Sequence, residues 1–263
     1  MNRIFNTSQI LLLRDHCGSQ VDVEVVQETG STNADLLARI DHLYAPVLRV
    51  AESQTAGRGR AGRVWHSVPG GMLTFSLAWR FTKSAQALSG LPLAIGVVIA
   101  EVLISLGVLV QLKWPNDVLK ENKKLAGILI ETAADHVDND AMWAVIGIGL
   151  NLRVPDVLEV EIGQAVADAP WLAQMDRNLL LAHLLNALAR ALGEFQQQGF
   201  AAFMLRWNAL HAYAGQAVKI VDRGVVLHEG TALGVDESGC LLLKTEGGQV
   251  TVLAGDVSLR PLS

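Results

Sequence analysis

The sequence predicts an α/β (α+β) fold: a mixed β-sheet with helices, followed by a small C-terminal β unit. Three observations predict it. Strand-like and helix-like patterns alternate from residue 21 to residue 213. Beyond Tyr213 only short β-rich runs remain, separated by turn signals. Hydrophobic residues make up 51% of the 263 and charged residues 18%, enough apolar material to bury a core and too much for a disordered chain.

A short helical pattern covers residues 8–16, and 21–26 read as a strand. Gly30-Ser31-Thr32 then opens a helix whose Leu36, Leu37, Ile40 and Leu43 share one face; Thr32 with Asp35 has the form of a capping box. Residues 47–53 read as a strand and 54–71 as a polar, glycine-rich loop. Residues 73–81 alternate and are aromatic, so a strand is expected, and 87–106 read as a long buried helix. Residues 108–114 are extended, because Pro115 keeps Trp114 out of the helical region. Asn116-Asp117 favours a turn. Strands follow at 125–131 and 142–150, then helices at 178–198 and 200–213. Leu179, Leu180, Leu184, Leu188 and Leu192 keep an apolar stripe on the first of these helices. The runs 217–221, 224–227, 231–235, 240–244 and 249–253 suggest a small barrel or meander that packs against the larger domain, since such a unit is marginal alone. The expected domains are 1–214 and 215–263.

Several function classes are disfavoured at once. The 21 basic and 26 acidic residues give a net charge of −5, a poor overall field for coating nucleic acid. Residues 91–110 are apolar enough to suggest a membrane span. Glu101 would then sit near the bilayer centre, at a cost of roughly 2.5–3.5 kcal/mol, so a core helix is expected. The N-terminal apolar run at Ile10 to Leu13 is too short for a signal-peptide core, which leads us to expect a cytoplasmic protein. Cys17 and Cys240 lack CxxC spacing and the seven histidines form no HExxH or HxH, so no metal site is expected from protein motifs. No GxSxG elbow is present.

The densest chemical signal is Gly57-Arg58-Gly59-Arg60-Ala61-Gly62-Arg63, three glycines and three arginines in seven residues. Glycine lets the backbone approach a ligand and arginine supplies planar forks for phosphate or carboxylate, so the string reads as an anion-binding loop; a solvated basic loop is the alternative. Its match to G-x-G-x-x-G is misleading, because no helix begins inside it. Trp65 follows closely, either as a core anchor or as a face for an adenine. Lys113-Trp114-Pro115-Asn116-Asp117 ends a strand with a cation, an amide and a carboxylate; an ordinary turn has the same composition. Lys123-Lys124 precedes a buried strand that includes Gly127, where one lysine can point inward or both can face solvent. Gly147-Ile148-Gly149-Leu150-Asn151 ends another strand, with Asn151 able to contact a nucleotide or cap the turn.

Taken in order, five segments closely resemble the bacterial biotin–protein ligases: Gly30 to Asn33, Gln54 to Trp65, Lys113 to Asp117, Lys124 to Glu131, and Gly147 to Asn151. The resemblance runs from about Val25 to the C-terminus. It implies a class II synthetase-like, biotin–lipoate ligase-like catalytic domain and a small SH3-like β-barrel after it. It implies that biotin reacts with MgATP to give biotinyl-5′-AMP, and that a lysine of a biotin carboxyl carrier protein then takes the biotinyl group. By the same resemblance, Ser31, Thr32, Asn33 and Gln54 line the biotin head-group pocket, with Gly57, Arg58, Gly59, Arg60, Lys124 and Gly127 completing the biotin site. Arg58, Arg60, Arg63, Trp65, Asn116, Lys124 and Asn151 are the implied nucleotide contacts. Arg60, Lys124, Lys113 and Asp117 are the implied catalytic set; Arg60 retains the adenylate, Lys124 bridges carboxylate and α-phosphate, and Asp117 assists deprotonation of the acceptor lysine.

The chain departs from the family at Met72, where many relatives carry Asn, and at Ala61, where some carry a basic residue. Members that also repress the biotin operon carry a winged helix-turn-helix of about sixty residues ahead of the Ser-Thr-Asn motif. Only 30 residues precede Ser31, so a ligase without repressor activity, DNA partner or membrane partner is expected. A monomer and a homodimer both agree with the resemblance. The rival readings are a lipoate or octanoate transferase and a nucleic-acid-binding regulator.

Overall fold

Seven strands form the larger sheet: β1 (Asp22–Thr29), β2 (Val47–Gln54), β3 (Met72–Phe81), β4 (Gln111–Lys113), β5 (Asp117–Lys120), β6 (Lys123–Ala134) and β7 (Met142–Asn151). They come from a computed structural model that describes residues 4–155, 166–255 and 257–262. The strand order is β1-β2-β3-β7-β6-β5-β4; β1 and β2 are parallel and all other neighbours antiparallel. This is the mixed sheet the sequence predicts. The helices are α1 (Thr7–Leu12), α2 (Thr32–Leu37), α3 (Leu91–Ser105), α4 (Arg177–Gln198) and α5 (Ala201–Ala209).

Central β3 is buried along almost its whole length because both faces of the sheet are covered. Leu77 and Trp79 face the main core, which holds α3, α4 and α5, while Ala78 joins Leu36, Ile40, Val47, Trp143 and Val145 in a smaller cluster under α2. The long apolar segment lies inside: 67% of the residues in the most apolar 18-residue window of Ala85–Ser105, which includes α3, are buried. Glu101 reaches the surface, where Arg206 of α5 pairs with it at 2.6 Å. Gly107 ends α3 with a φ of 82°, the left-handed backbone that a helix terminus commonly takes.

Some predicted elements change shape. The helix opened by Ser31 stops at Leu37, and Ile40–His42 continues as a separate 3-10 turn, yet Ile40 stays on the apolar face. Of the expected Asn116-Asp117 turn, Asp117 already opens strand β5, which returns into β6 through Glu121 and Asn122, both at positive φ (51° and 62°), as a two-residue hairpin needs. The two runs expected at 224–227 and 231–235 are one strand.

The expected SH3-like β-barrel is not formed. Strands β8 (Ala217–Asp222), β9 (Val225–Val235), β10 (Leu241–Thr245), β11 (Gly248–Val252) and β12 (Ser258–Pro261) make an open antiparallel sheet of order β11-β10-β9-β8-β12. Among the described residues its two edges, β11 and β12, do not pair with each other, so the sheet does not close. The physical reason is where its apolar face goes. Val218, Ile220, Ala232, Val235, Leu241, Leu243 and Leu259 bury into the same core as α3, α4 and α5, instead of against an opposite wall of their own sheet. Hydrogen bonds fix this docking: Trp114 Nε1 donates to the Gly239 carbonyl at 3.1 Å and Ser89 Oγ to the Ser238 carbonyl at 2.8 Å.

Candidate active site

One cavity of about 300 Å³ opens on the face of β3, β6 and β7 that also meets α2 and the arginine-rich loop. Ser31, Thr32, Asn33 and Gln54 line one end. Ser31 caps α2, its Oγ accepting from Ala34 N, and so turns Thr32 and Asn33 inward, where both are 3% exposed. Thr32 N and Oγ1 donate to Gln54 Oε1 at 2.8 and 3.0 Å. Ser76 Oγ donates to Asn33 Oδ1 at 2.5 Å and lies 2.6 Å from Thr32 Oγ1. This end is a buried, hydrogen-bonded set of amides and hydroxyls.

The loop forms the other wall. Gly57 and Trp65 are tied by Trp65 N donating to Gly57 O at 2.9 Å, and Gly59 N donates to Arg63 O at 2.7 Å. A Cβ on Gly57 would stand 2.4 Å from the Trp65 carbonyl, so Gly57 shapes the loop while Arg58, Gly59, Arg60 and Arg63 line the cavity. Arg58 pairs with Glu131 at 3.0 Å. Arg60 Nη1 donates to Asn116 Oδ1 at 3.0 Å, and its Nη2 to the carbonyls of Gly255 and Val257 beside β12. Ala61 is exposed at a φ of 52° and stands outside the cavity wall, whereas Met72 is part of it.

The Trp65 ring lies on glycine. A Cβ at Gly149 would be 2.2 Å from Trp65 Cε2, and one at Gly127 would be 3.2 Å from Cζ3 and 2.9 Å from Lys124 Cε. The glycines of β6 and β7 are therefore the floor that admits a flat ring. Lys124 Nζ sits 5.6 Å from the ring centroid. Its partner is Asp117 Oδ1 at 2.6 Å, an ion pair by distance that lacks hydrogen-bond alignment. Asn151 spends its Nδ2 on the Lys124 and Ala167 carbonyls, at 3.3 and 3.0 Å.

Lys113 and Asp117 stand behind the cavity wall. Burial pushes the Lys113 ammonium below the ordinary lysine range; Asp117 opposes this, and Arg260, Lys124 and Arg63 add to it. The group thus sets several cations around one carboxylate. Sequence reasoning missed Thr74, Ser76, Leu129 and Val166 as lining residues. For Thr74 and Ser76 a signal existed: two small polar residues at period two inside an apolar strand.

The geometry has close relatives. The Biotin/lipoate A/B protein ligase family matches residues 23–151, and the Biotin protein ligase C terminal domain matches 213–260. The bifunctional ligase/repressor BirA of Escherichia coli K12 is 38% identical over 98% of this chain and 79% of its own length. The chain belongs to the biotin protein ligases. The biotin–[acetyl-CoA-carboxylase] ligase of Mycobacterium tuberculosis is 34% identical, covering 89% of this chain and 88% of that protein. Among solved structures, the biotin protein ligase of Aquifex aeolicus in complex with biotin and ATP superposes with a TM-score of 0.75 at 29% identity, over 92% of this chain and 99% of that one. The two family matches meet in one core here, the catalytic sheet and the C-terminal sheet burying a continuous apolar cluster.

Proposed function

We infer that the cavity is where biotin and ATP react. The chain is an ATP-dependent ligase that joins biotin to a protein lysine through biotinyl-5′-AMP. The observation that carries this is the cavity's two ends: a buried amide and hydroxyl set at one, and a wall of arginines, Lys124 and a glycine-floored indole at the other. The first suits an uncharged polar ring; the second suits a nucleoside phosphate.

In the first step the biotin carboxylate attacks the α-phosphorus of MgATP and the bond to the β-phosphate breaks, releasing pyrophosphate. In the second the amine of the acceptor lysine attacks the anhydride carbonyl, loses a proton, and AMP leaves. Two anions must meet in the first step, so it needs positioned cations more than a protein nucleophile. We assign Ser31, Thr32, Asn33 and Gln54 to the head group, with Gly59 and Gly127 giving backbone access and Gly57 setting the loop's shape behind them. Arg58, Arg60 and Lys124 act where carboxylate meets phosphate. Arg63, Trp65, Asn116 and Asn151 hold the nucleotide, with adenine on Trp65. Lys113 and Asp117 complete the catalytic set from behind the cavity wall, Asp117 receiving the acceptor proton once Lys124 leaves it for the phosphate. The acceptor is a biotin carboxyl carrier protein of a carboxylase, and the reading carries no DNA or membrane partner. We propose that residues 1–214 act as the catalytic unit and 215–263 as the C-terminal β domain, in the cytoplasm.

Biotin-dependent exchange between pyrophosphate and ATP, followed by biotin transfer to a carrier domain, tests the reading. Exchange with biotin and little with lipoate is expected. Exchange that prefers lipoate would move the chain to the other branch of its family, and no exchange in a folded sample that binds ATP would overturn the assignment.

A further inference from the structure

Glu131 of β6 has no role in the mechanism above, yet its carboxylate holds a head-group residue. Asn33 Nδ2 donates to Glu131 Oε2 at 2.9 Å and to the Leu129 carbonyl at 3.4 Å, the limit of a hydrogen bond. On the other side of the amide stands the Ser76 hydroxyl, 2.5 Å from Oδ1. Gly147 leaves room for this arrangement, since a Cβ there would be 2.4 Å from Asn33 Oδ1.

A carboxamide can sit either way round in its pocket, and its neighbours decide which. Ser76 does not decide, because a hydroxyl both donates and accepts. Glu131 does, because an ionised carboxylate only accepts, and its 2.9 Å bond is the shorter of the two that Nδ2 makes, the Leu129 carbonyl standing at 3.4 Å. Turned over, Asn33 would set its oxygen against the oxygens of Glu131. With Glu131 in place, Oδ1 lies beside Ser76 and Gly147 in the cavity wall and keeps a second lone pair for a ligand N–H. Gln54 is fixed in the opposite sense: its Oε1 is taken by Thr32, at 2.8 and 3.0 Å, leaving Nε2 as the group it can offer. One acceptor and one donor match a cyclic urea, which carries N–H beside C=O.

We propose that Glu131 is a positioning residue for the biotin head group, acting through Asn33 by fixing its amide with the oxygen toward the ligand. The proposal rests on the biotin reading above. The Arg58–Glu131 pair, whose side chains are 47% and 27% exposed, is screened by solvent and adds little by itself.

The test is steady-state exchange kinetics on the full chain. Glu131→Gln keeps the volume but replaces an acceptor with a group that donates or accepts, so Asn33 loses its stronger guide and keeps only the Leu129 carbonyl at 3.4 Å. The expected result is a biotin KM raised about tenfold, with kcat and the ATP KM within about twofold. Asn33→Asp alone sets two carboxylates together and should lose biotin binding. The pair Asn33→Asp with Glu131→Gln restores a donor facing an acceptor and an oxygen facing the ligand, and should recover most of the loss. A biotin KM unchanged in Glu131→Gln, a loss spread equally over biotin KM, ATP KM and kcat, or a double variant no better than Asn33→Asp would each overturn the proposal while exchange in the unaltered chain upholds the biotin reading. No biotin-dependent exchange in the unaltered chain overturns both.

Discussion

Lys124 is paired with Asp117 at 2.6 Å while its ammonium also borders the cavity. A lysine held this way is a mobile point charge: an arriving carboxylate and phosphate can compete with Asp117 for it. Replacing Lys124 with Ala should lower the rate of biotin-dependent exchange by about 10²–10³-fold, the range for removing one positioned charge from a developing transition state. The chain should stay folded, with thermal unfolding somewhat lower, because the lysine is only 26% exposed and its loss removes the buried stem as well as the pair with Asp117. A second residue-scale prediction concerns Gly149. A Cβ there would stand 2.2 Å from the Trp65 ring, so Gly149→Ala must displace the indole. The ATP KM should rise about tenfold or more, as for loss of one base-stacking contact, while the biotin KM changes less. Much of this site is legible in the sequence, because cations and glycines crowd into a few short strings. Glu131 is harder to read, since its contact with the cavity end runs through Asn33, which lies far from it in sequence.

Helix α2 has six residues, too few to persist alone in water. It is held from outside by Asp35, whose Oδ2 accepts from Arg49 Nε at 2.7 Å and from Thr29 Oγ1 at 2.7 Å. Arg49 Nη1 continues the chain to Glu24 at 2.8 Å. These bonds clamp α2 to β1 and β2, the strand that ends in Gln54, and so set the two halves of the head-group pocket against each other. Arg49→Leu should cost about 1–3 kcal/mol in denaturant unfolding. It should also raise the biotin KM more than the ATP KM, since only the end proposed for biotin hangs on α2. The sequence shows that a helix starts at Ser31, because capping is local. It does not show that the helix ends so early, because the break at Arg39 is imposed by packing Ile40 under Val47 and Trp143.

The two sheets meet at a junction that carries a buried histidine. After α5 the chain runs beside β4, with Leu112 N donating to the Leu210 carbonyl at 2.7 Å and Ala212 N to the Leu112 carbonyl at 2.9 Å. Asn208 bonds both backbone groups of Val235 on β9, at 3.1 and 2.8 Å. This seam explains why the C-terminal strands stay an open sheet: composition predicts short strands, but only the larger domain's surface decides whether they roll up or lie flat against it. His211 sits in the seam, 5% exposed, its ring tilted by 37° against Trp207 at 4.7 Å, with neither ring nitrogen hydrogen-bonded among the described residues. Burial pushes its pKa down to about 4. The folded chain therefore binds this proton less well than the unfolded chain. Stability from neutral His211 is complete above the ordinary histidine value near 6.5, falls as pH drops below it, and levels off below about 4. The loss across that window is at most about 3 kcal/mol. His211→Phe keeps the aromatic contact with Trp207 and removes the proton site. Urea unfolding should then show the unaltered chain losing stability relative to His211→Phe between pH 7 and pH 4, with a constant difference above pH 7.5. A difference that stays constant down to pH 4 would mean that His211 is charged in the fold, or that the seam opens to water before the histidine titrates.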